Sequence, residues 1–300
     1  MNKLIRIFKD PYWFMGALLH RLSFLFRNDE KYIEWEYYFG MHKFPNLKSP
    51  QSFNEKLQWL KLHDKRAHYT DMVDKYSAKQ YVKSLIGDEY IIPTLGVWDN
   101  FDDIDFDSLP NQFVLKCTHD SGGIVICKDK SKFDIREARR KIAKSLKSNY
   151  FFVHREYPYK TIRPRIIAEK YMVDESGTEL KDYKFFCFNG KCKMLFVATG
   201  RPYNTCFNFY DTDFNLLPFT QGHPNANTII EKPDSFHEMV RLAEILSHDI
   251  PHVRVDFYSI SGRIYFGELT FFHFSGNVPF EPEEWDFRIG EWLSLPITTE

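Results

Sequence analysis

A chain of 300 residues, 43% apolar and 27% charged, has the proportions of a soluble globular protein and suits one large domain or two to three lobes. Its net charge of −1 gives no bulk attraction for nucleic acid, so nucleic acid is not an expected partner. Its five cysteines, at 117, 127, 187, 192 and 206, include no CxxC pair, which argues against a disulfide framework or a cysteine-built zinc site and points to a reducing cytoplasm.

Near the start, "YWFMGALLH" and "RLSFLFRN" form an apolar stretch too short and too interrupted to cross a membrane. It has no small-residue cleavage site of the kind a secretory signal needs. With Arg6, Lys9, Arg21 and Arg27 around it, it reads either as a helix lying on a membrane surface or as an amphipathic helix packed on the body. Residues 1 to about 95 read as mostly helical. Ser52 and Glu55 form a capping-box pattern before an apolar-periodic run, and "TDMVDKYSAKQYVKSLIG" reads as one further helix ending at Gly87. Near "YIIPTLGVW" the pattern changes to short β-type runs. "QFVLKCT" and "IVICKD" read as strands around an "HDSGG" turn. Apolar positions 135, 138, 142 and 146 predict a helix capped by Asp134. "PRIIAEKYMV" is a strand and "DESGTEL" a turn, followed by a hairpin that turns at Asn189-Gly190. "SFHEMVRLAEILSHDI" is a helix with a second capping box at Ser235 and Glu238, and "HVRVDFYSISGRIYFGELTFF" is a final hairpin. The order predicts α+β lobes and not a βαβ dinucleotide fold.

Several of these elements carry charge where alternation expects apolar residues. Lys116 lies on the face opposite Phe113 and Leu115, in the strand that leads into the turn of Gly122 and Gly123, which are free to reach φ > 0. The pair is either a phosphate clamp or an ordinary hairpin, and it is not a Walker loop. Glu169 and Lys170 interrupt an apolar strand, as solvated edge charges or as a hinge whose backbone meets a purine. Asp182 and Lys184 share a face, as a surface couple or as contacts to ribose and phosphate. Arg254 and Asp256 share a face, and the hairpin can bring Glu268 beside them. Two close carboxylates repel unless a proton or a cation lies between them, and an oxygen donor set suits Mg²⁺. The alternative is an Arg–Asp salt bridge beside an unrelated glutamate.

In order, these pieces resemble the ATP-grasp superfamily. "SFNEKLQWLKLHD", "DKYSAKQYV", "FVLKCTHDSGG", "DYKFFCFNG" and "VRVDFY…GELTFF" are similar to the TupA-like ATP-grasp family of bacterial surface-polysaccharide loci, over roughly residues 50 to 280. The resemblance implies an ATP-grasp fold: a helical region at 1–95, a lobe with the lysine and glycine loop at 96–170, and a lobe with the metal carboxylates at 171–300. It implies ATP and Mg²⁺ as cofactors. Lys116 would contact the α/β-phosphates, and His119, Asp120, Ser121, Gly122 and Gly123 would cover the triphosphate. Glu169, Lys170, Tyr171 and Met172 would line the adenine pocket, with Asp182 near the ribose and Lys184 near phosphate. Asp256 and Glu268 would hold Mg²⁺, and Arg254 would stabilise the acyl-phosphate step. Thr270 stands where many relatives have Asn, which puts a second metal in doubt, and His273 reads as structural.

The implied activity is ATP-dependent ligation of an amino acid to a uronic-acid-containing sugar or glycan, in the cytoplasm and peripheral to the inner face of the membrane. No GxSxG elbow or Cys–His constellation offers a protein nucleophile instead. The alternatives are a glycosyltransferase using the DxD string at Asp211 and Asp213, a sugar kinase, and a non-catalytic nucleotide module.

Overall fold

The computed structural model describes residues 10–297 except 176, 178, 179 and 202. Arg6, Lys9 and part of the "DESGTEL" turn therefore lie outside the described residues. The first third is helical: α1 (Pro11–Arg21), α2 (Asp29–Met41), α3 (Phe53–His63), α4 (Tyr69–Val73) and α5 (Ser77–Ile86). The capping box at the start of α3 forms as the sequence predicts, with Ser52 and Glu55 each accepting the other's backbone N–H. The single helix expected over "TDMVDKYSAKQYVKSLIG" is instead two. Asp74 Oδ1 accepts from the N–H of Tyr76 at 3.1 Å and of Ser77 at 2.7 Å, so its side chain ends α4 and starts α5.

The first sheet contains β1 (Thr94–Trp98), β2 (Phe113–Cys117), β3 (Ile124–Cys127) and, after α6 (Ile135–Leu146) and α7 (Phe151–His154), β4 (Ile166–Lys170). Its order is β1-β4-β2-β3, antiparallel throughout. Phe113 and Leu115 pack with Ala138 and Ile142 of α6, which leaves Lys116 on the other face. Asp134 caps α6 by accepting from Glu137 N–H at 2.9 Å.

The second sheet contains β5 (Asp182–Phe188), β6 (Lys191–Thr199) and β7 (Cys206–Asp211). After β8 (Thr220–Gln221) and α8 (Phe236–Leu246), β9 (His252–Ile260) and β10 (Arg263–Thr270) complete it in the order β10-β9-β5-β6-β7. A short ribbon pairs β8 with β11 (Phe280–Glu281), and α9 (Glu284–Trp292) follows. Phe185 packs on Phe236 of α8, and Phe186 packs on Phe53 of α3. Covered on both faces, β5 is buried along its whole length, Asp182 and Lys184 included. Both hairpins turn on a pair with φ > 0, Asn189-Gly190 and Ser261-Gly262. The capping box expected at α8 does not form: Ser235, at ψ 1°, is not extended, and its hydroxyl meets Ser259 at 3.0 Å. Glu238 turns instead to Arg241 and Tyr90. Two antiparallel sheets, each backed by helices, make the expected α+β architecture.

Candidate active site

The polar faces of the two sheets meet at a cleft of about 340 Å³. Lys116 of β2, Glu169 of β4, Asp182 and Lys184 of β5, Arg254 of β9 and Glu268 of β10 line it. A larger open depression, about 1160 Å³, lies by the Asn189-Gly190 turn, where Lys191 and Glu244 are an exposed ion pair.

Each of these charges is placed by strand register. In β2, alternation buries Phe113 and Leu115 and turns Lys116 outward. Lys116 Nζ lies 2.5 Å from Glu169 Oε2 on the neighbouring strand, and Lys79 of α5 holds the other oxygen. Burial opposes ionisation of Glu169, but the two ammoniums outweigh it and hold the carboxyl at about 2. Glu169 therefore lies between two lysines inside the cleft. Lys170, Tyr171 and Met172 continue at and beyond the end of β4, outside the residues that line it.

In β9, Arg254 and Asp256 share a face, and Asp256 lies level with Lys184 on β5. A bulge at Gly267 sets Glu268 opposite Asp256. In a regular hairpin from the Ser261-Gly262 turn, Glu268 would lie opposite Val255 and point to the other face. Arg254 grips Asp256 through both oxygens, at 2.7 and 2.8 Å, and donates to Glu268 and Thr270, each at 3.0 Å. Its remaining nitrogen donates to His273 Nδ1 at 2.8 Å, while His273 Nε2 meets Gln221 Oε1 at 3.1 Å. Burial and the Arg254 charge keep His273 neutral, well below the usual imidazole range. Lys184 also bonds Asp256. Burial would push the Asp256 carboxyl up, but Arg254 and Lys184 hold it at about 2.

The loop after β2 is held from behind. His119 Nε2 meets Ser145 O at 3.1 Å, and Asp120 accepts from Gly123 N–H at 3.1 Å and from the Ser145 hydroxyl. The side chains of His119 and Asp120 are thus buried in the loop's own support, and Ser121 is its cleft-lining residue. Neither Gly122 nor Gly123 takes positive φ, contrary to the expected reason for them. Gly123 is required for space, since a Cβ there would fall 2.3 Å from Ser145 Oγ and 2.7 Å from Cys117 Sγ. Gly122 lies in the open.

Two cleft cations were not evident from the sequence: Lys75, whose ammonium bonds Asp120 O, and Arg201, which pairs with Asp182. The "DK" of "DKYSAKQYV" was the available signal for Lys75, but a lysine beside an aspartate between helices is too common to single out. Burial lowers the Lys75 ammonium below its usual range. The DxD string is a turn, with Asp211 committed to Asp213 N–H at 2.9 Å and Asn215 N–H at 2.8 Å.

Lys75, Lys116, Lys184, Arg201 and Arg254 thus face Glu169, Asp182, Asp256 and Glu268. One cation is in excess before Lys79 is counted, and that balance suits a polyphosphate. The all-oxygen donors of Glu268, Asp256 and Thr270 suit Mg²⁺. Asp256 is 1% exposed with both oxygens engaged, whereas the Glu268 side chain is 48% exposed, so Glu268 is the carboxylate open to a cation.

A family model described as TupA-like ATPgrasp matches residues 55–294. No curated protein matches the sequence. Solved structures similar to this chain include a D-alanine–D-alanine ligase from Helicobacter pylori, at 15% identity over 76% of this chain and 59% of that one, with a TM-score of 0.41. The corresponding ligase from Bacillus anthracis, complexed with ATP, is 14% identical over 75% and 68%, with a TM-score of 0.39. A biotin carboxylase from Campylobacter jejuni is 12% identical over 81% and 49%, with a TM-score of 0.43. The chain spans 59% of the length of the Helicobacter pylori ligase.

Proposed function

The chain belongs to the TupA-like ATP-grasp family, whose cofactors are ATP and Mg²⁺, and from that premise we propose that it is an ATP-dependent carboxylate–amine ligase. The observation that carries this reading is the meeting of the Lys116 strand and the Arg254–Asp256–Glu268 hairpin across one cleft. A substrate carboxylate attacks the γ-phosphate of ATP to give an acyl phosphate and ADP, and an amine then displaces phosphate to form an amide. Catalysis of this kind is mainly positioning and charge neutralisation, so no protein nucleophile is needed.

Lys116 holds the phosphates from the first sheet, in the lobe at 96–170, with Lys75 beside it from the helical region, and Lys184 from the second sheet, in the lobe at 171–300. Glu169 fixes Lys116 in place. Glu268 would hold Mg²⁺, with Thr270 beside it and Asp256 joining only by giving up a contact to Lys184 or Arg254, and the ion would supply charge neutralisation at the phosphates. Arg254, clamped by Asp256 and His273, presents a fixed positive charge to the transferred group. An amino acid and a uronic-acid-containing sugar or glycan are the proposed substrates, by analogy with the family.

We also place the enzyme in the cytoplasm, against the inner face of the membrane. No helix among the described residues is long and apolar enough to cross a membrane. Instead α1 and the turn after it expose Phe14, Met15, Leu18, Leu22, Phe24 and Leu25 beside the exposed Arg21 and Arg27.

An ADP-release screen with Mg²⁺ and ATP across paired amino acids and uronic acids, with mass spectrometry of the product, tests the reaction. Release that needs both substrates and an amide product is expected. Lys116→Ala and Asp256→Asn should each lose on the order of 100-fold or more in rate while folded. A phosphorylated sugar without amide, or full activity in both variants, would remove the ligase assignment.

A further inference from the structure

Outside the cleft, His20 at the end of α1, Glu36 of α2 and His154 at the end of α7 converge. Their nearest ligand atoms all lie within 4.8 Å of one another. His20 Nε2 is 2.9 Å and His154 Nδ1 2.5 Å from the same oxygen, Glu36 Oε1. The other oxygen, Oε2, is buried with no hydrogen-bond partner and has Lys61 Nζ at 3.7 Å. Glu36 is 4% exposed, whereas the His20 and His154 side chains are 34% and 20% exposed, so the cluster is closed on the protein side and open on the other.

We propose that His20, Glu36 and His154 form a site for a divalent transition metal of the zinc class, with one position left to water. Two imidazole nitrogens and one carboxylate oxygen are a zinc-type donor set and a poor one for Mg²⁺. Monodentate ligation through Oε1 leaves Oε2 to Lys61, an outer-shell partner already in place. Binding displaces any proton carried by either ligating nitrogen and replaces the two histidine–Glu36 hydrogen bonds with three metal bonds. Behind the cluster, Lys61 Nζ donates to Ser275 O at 2.8 Å and the Ser275 hydroxyl donates to Glu156 at 2.6 Å, so both buried groups are fixed. Such a metal fastens α1, which buries only Leu19 and Ser23 nearby, to α2 and α7.

The site is separate from the nucleotide cleft and so is its test. Full-length protein, dialysed against a chelator and free of nucleotide, is titrated with CoCl₂ by visible absorbance and with ZnCl₂ by calorimetry. One ion per chain is expected, with Co²⁺ ligand-field bands and a Zn²⁺-dependent rise in melting temperature. His20→Ala and His154→Ala should weaken binding beyond the roughly 10–100-fold that loss of an outer-shell partner costs. Asp256→Asn should leave the stoichiometry unchanged. His20→Ala removes a side chain that is one-third exposed and serves as the variant that keeps its fold, checked by circular dichroism. Absence of one-to-one uptake, or uptake that both histidine variants retain, overturns the site.

Discussion

Asp256 holds Arg254 through both oxygens and Lys184 through one, at 1% exposure. Its folded value of about 2 lies below the ordinary 3.8, so its contribution to stability is whole above about pH 4 and is lost as pH falls through about 2. The shift corresponds to roughly 2 kcal/mol. Urea unfolding of wild type and Asp256→Asn should therefore differ by about that amount near neutrality, and the gap should close only below about pH 4. A gap that stays constant down to about pH 3 would show that the Asp256 charge does not stabilise the fold. The pairing of Arg254 with Asp256 was legible, because strand alternation is local. The further grip of Lys184, 72 positions away, was not. Gly123 is the converse case: the residue was noticed in the sequence, but its reason was space against Ser145 and not a positive φ.

At the scale of elements, α4 and α5 show how one side chain divides a pattern that periodicity alone joins. Asp74 accepts the N–H groups of Tyr76 and Ser77 and pairs with Arg165 at 3.0 Å. Asp74→Ala should cost about 1–2 kcal/mol and lower the melting temperature by several degrees in a calorimetric scan. An unchanged midpoint would show that α5 starts without that cap. The Ser52 and Ser235 boxes have the same sequence signature, yet one forms and the other does not, since capping needs an extended serine as well as a partner three residues on. The β9–β10 hairpin was legible as an element and its turn was placed correctly. Its bulge was not, because an extra residue at Gly267 has no periodic signature, and that bulge puts Glu268 on the face of Asp256.

At the scale of the molecule, the apolar face of α1 with Arg21 and Arg27 meets the surroundings of the protein. Wild type should co-sediment with vesicles of anionic phospholipid, more weakly with neutral vesicles and at high salt. Phe24→Asp with Leu25→Asp should stay in the supernatant with unchanged circular dichroism, and equal sedimentation of the variant would exclude this face as the contact. By itself the sequence determined most strands though not β7, β8 or β11, most helices, both hairpin turns and the face on which Lys116 stands, because periods of 2 and 3.6 residues and turn chemistry are properties of neighbours along the chain. Only the tertiary structure decided which charges meet across different elements. Lys79 reaches Glu169, Lys75 reaches the loop at Asp120, and His20 and His154 reach Glu36, because the packing of helices on sheets joins segments that share no local pattern.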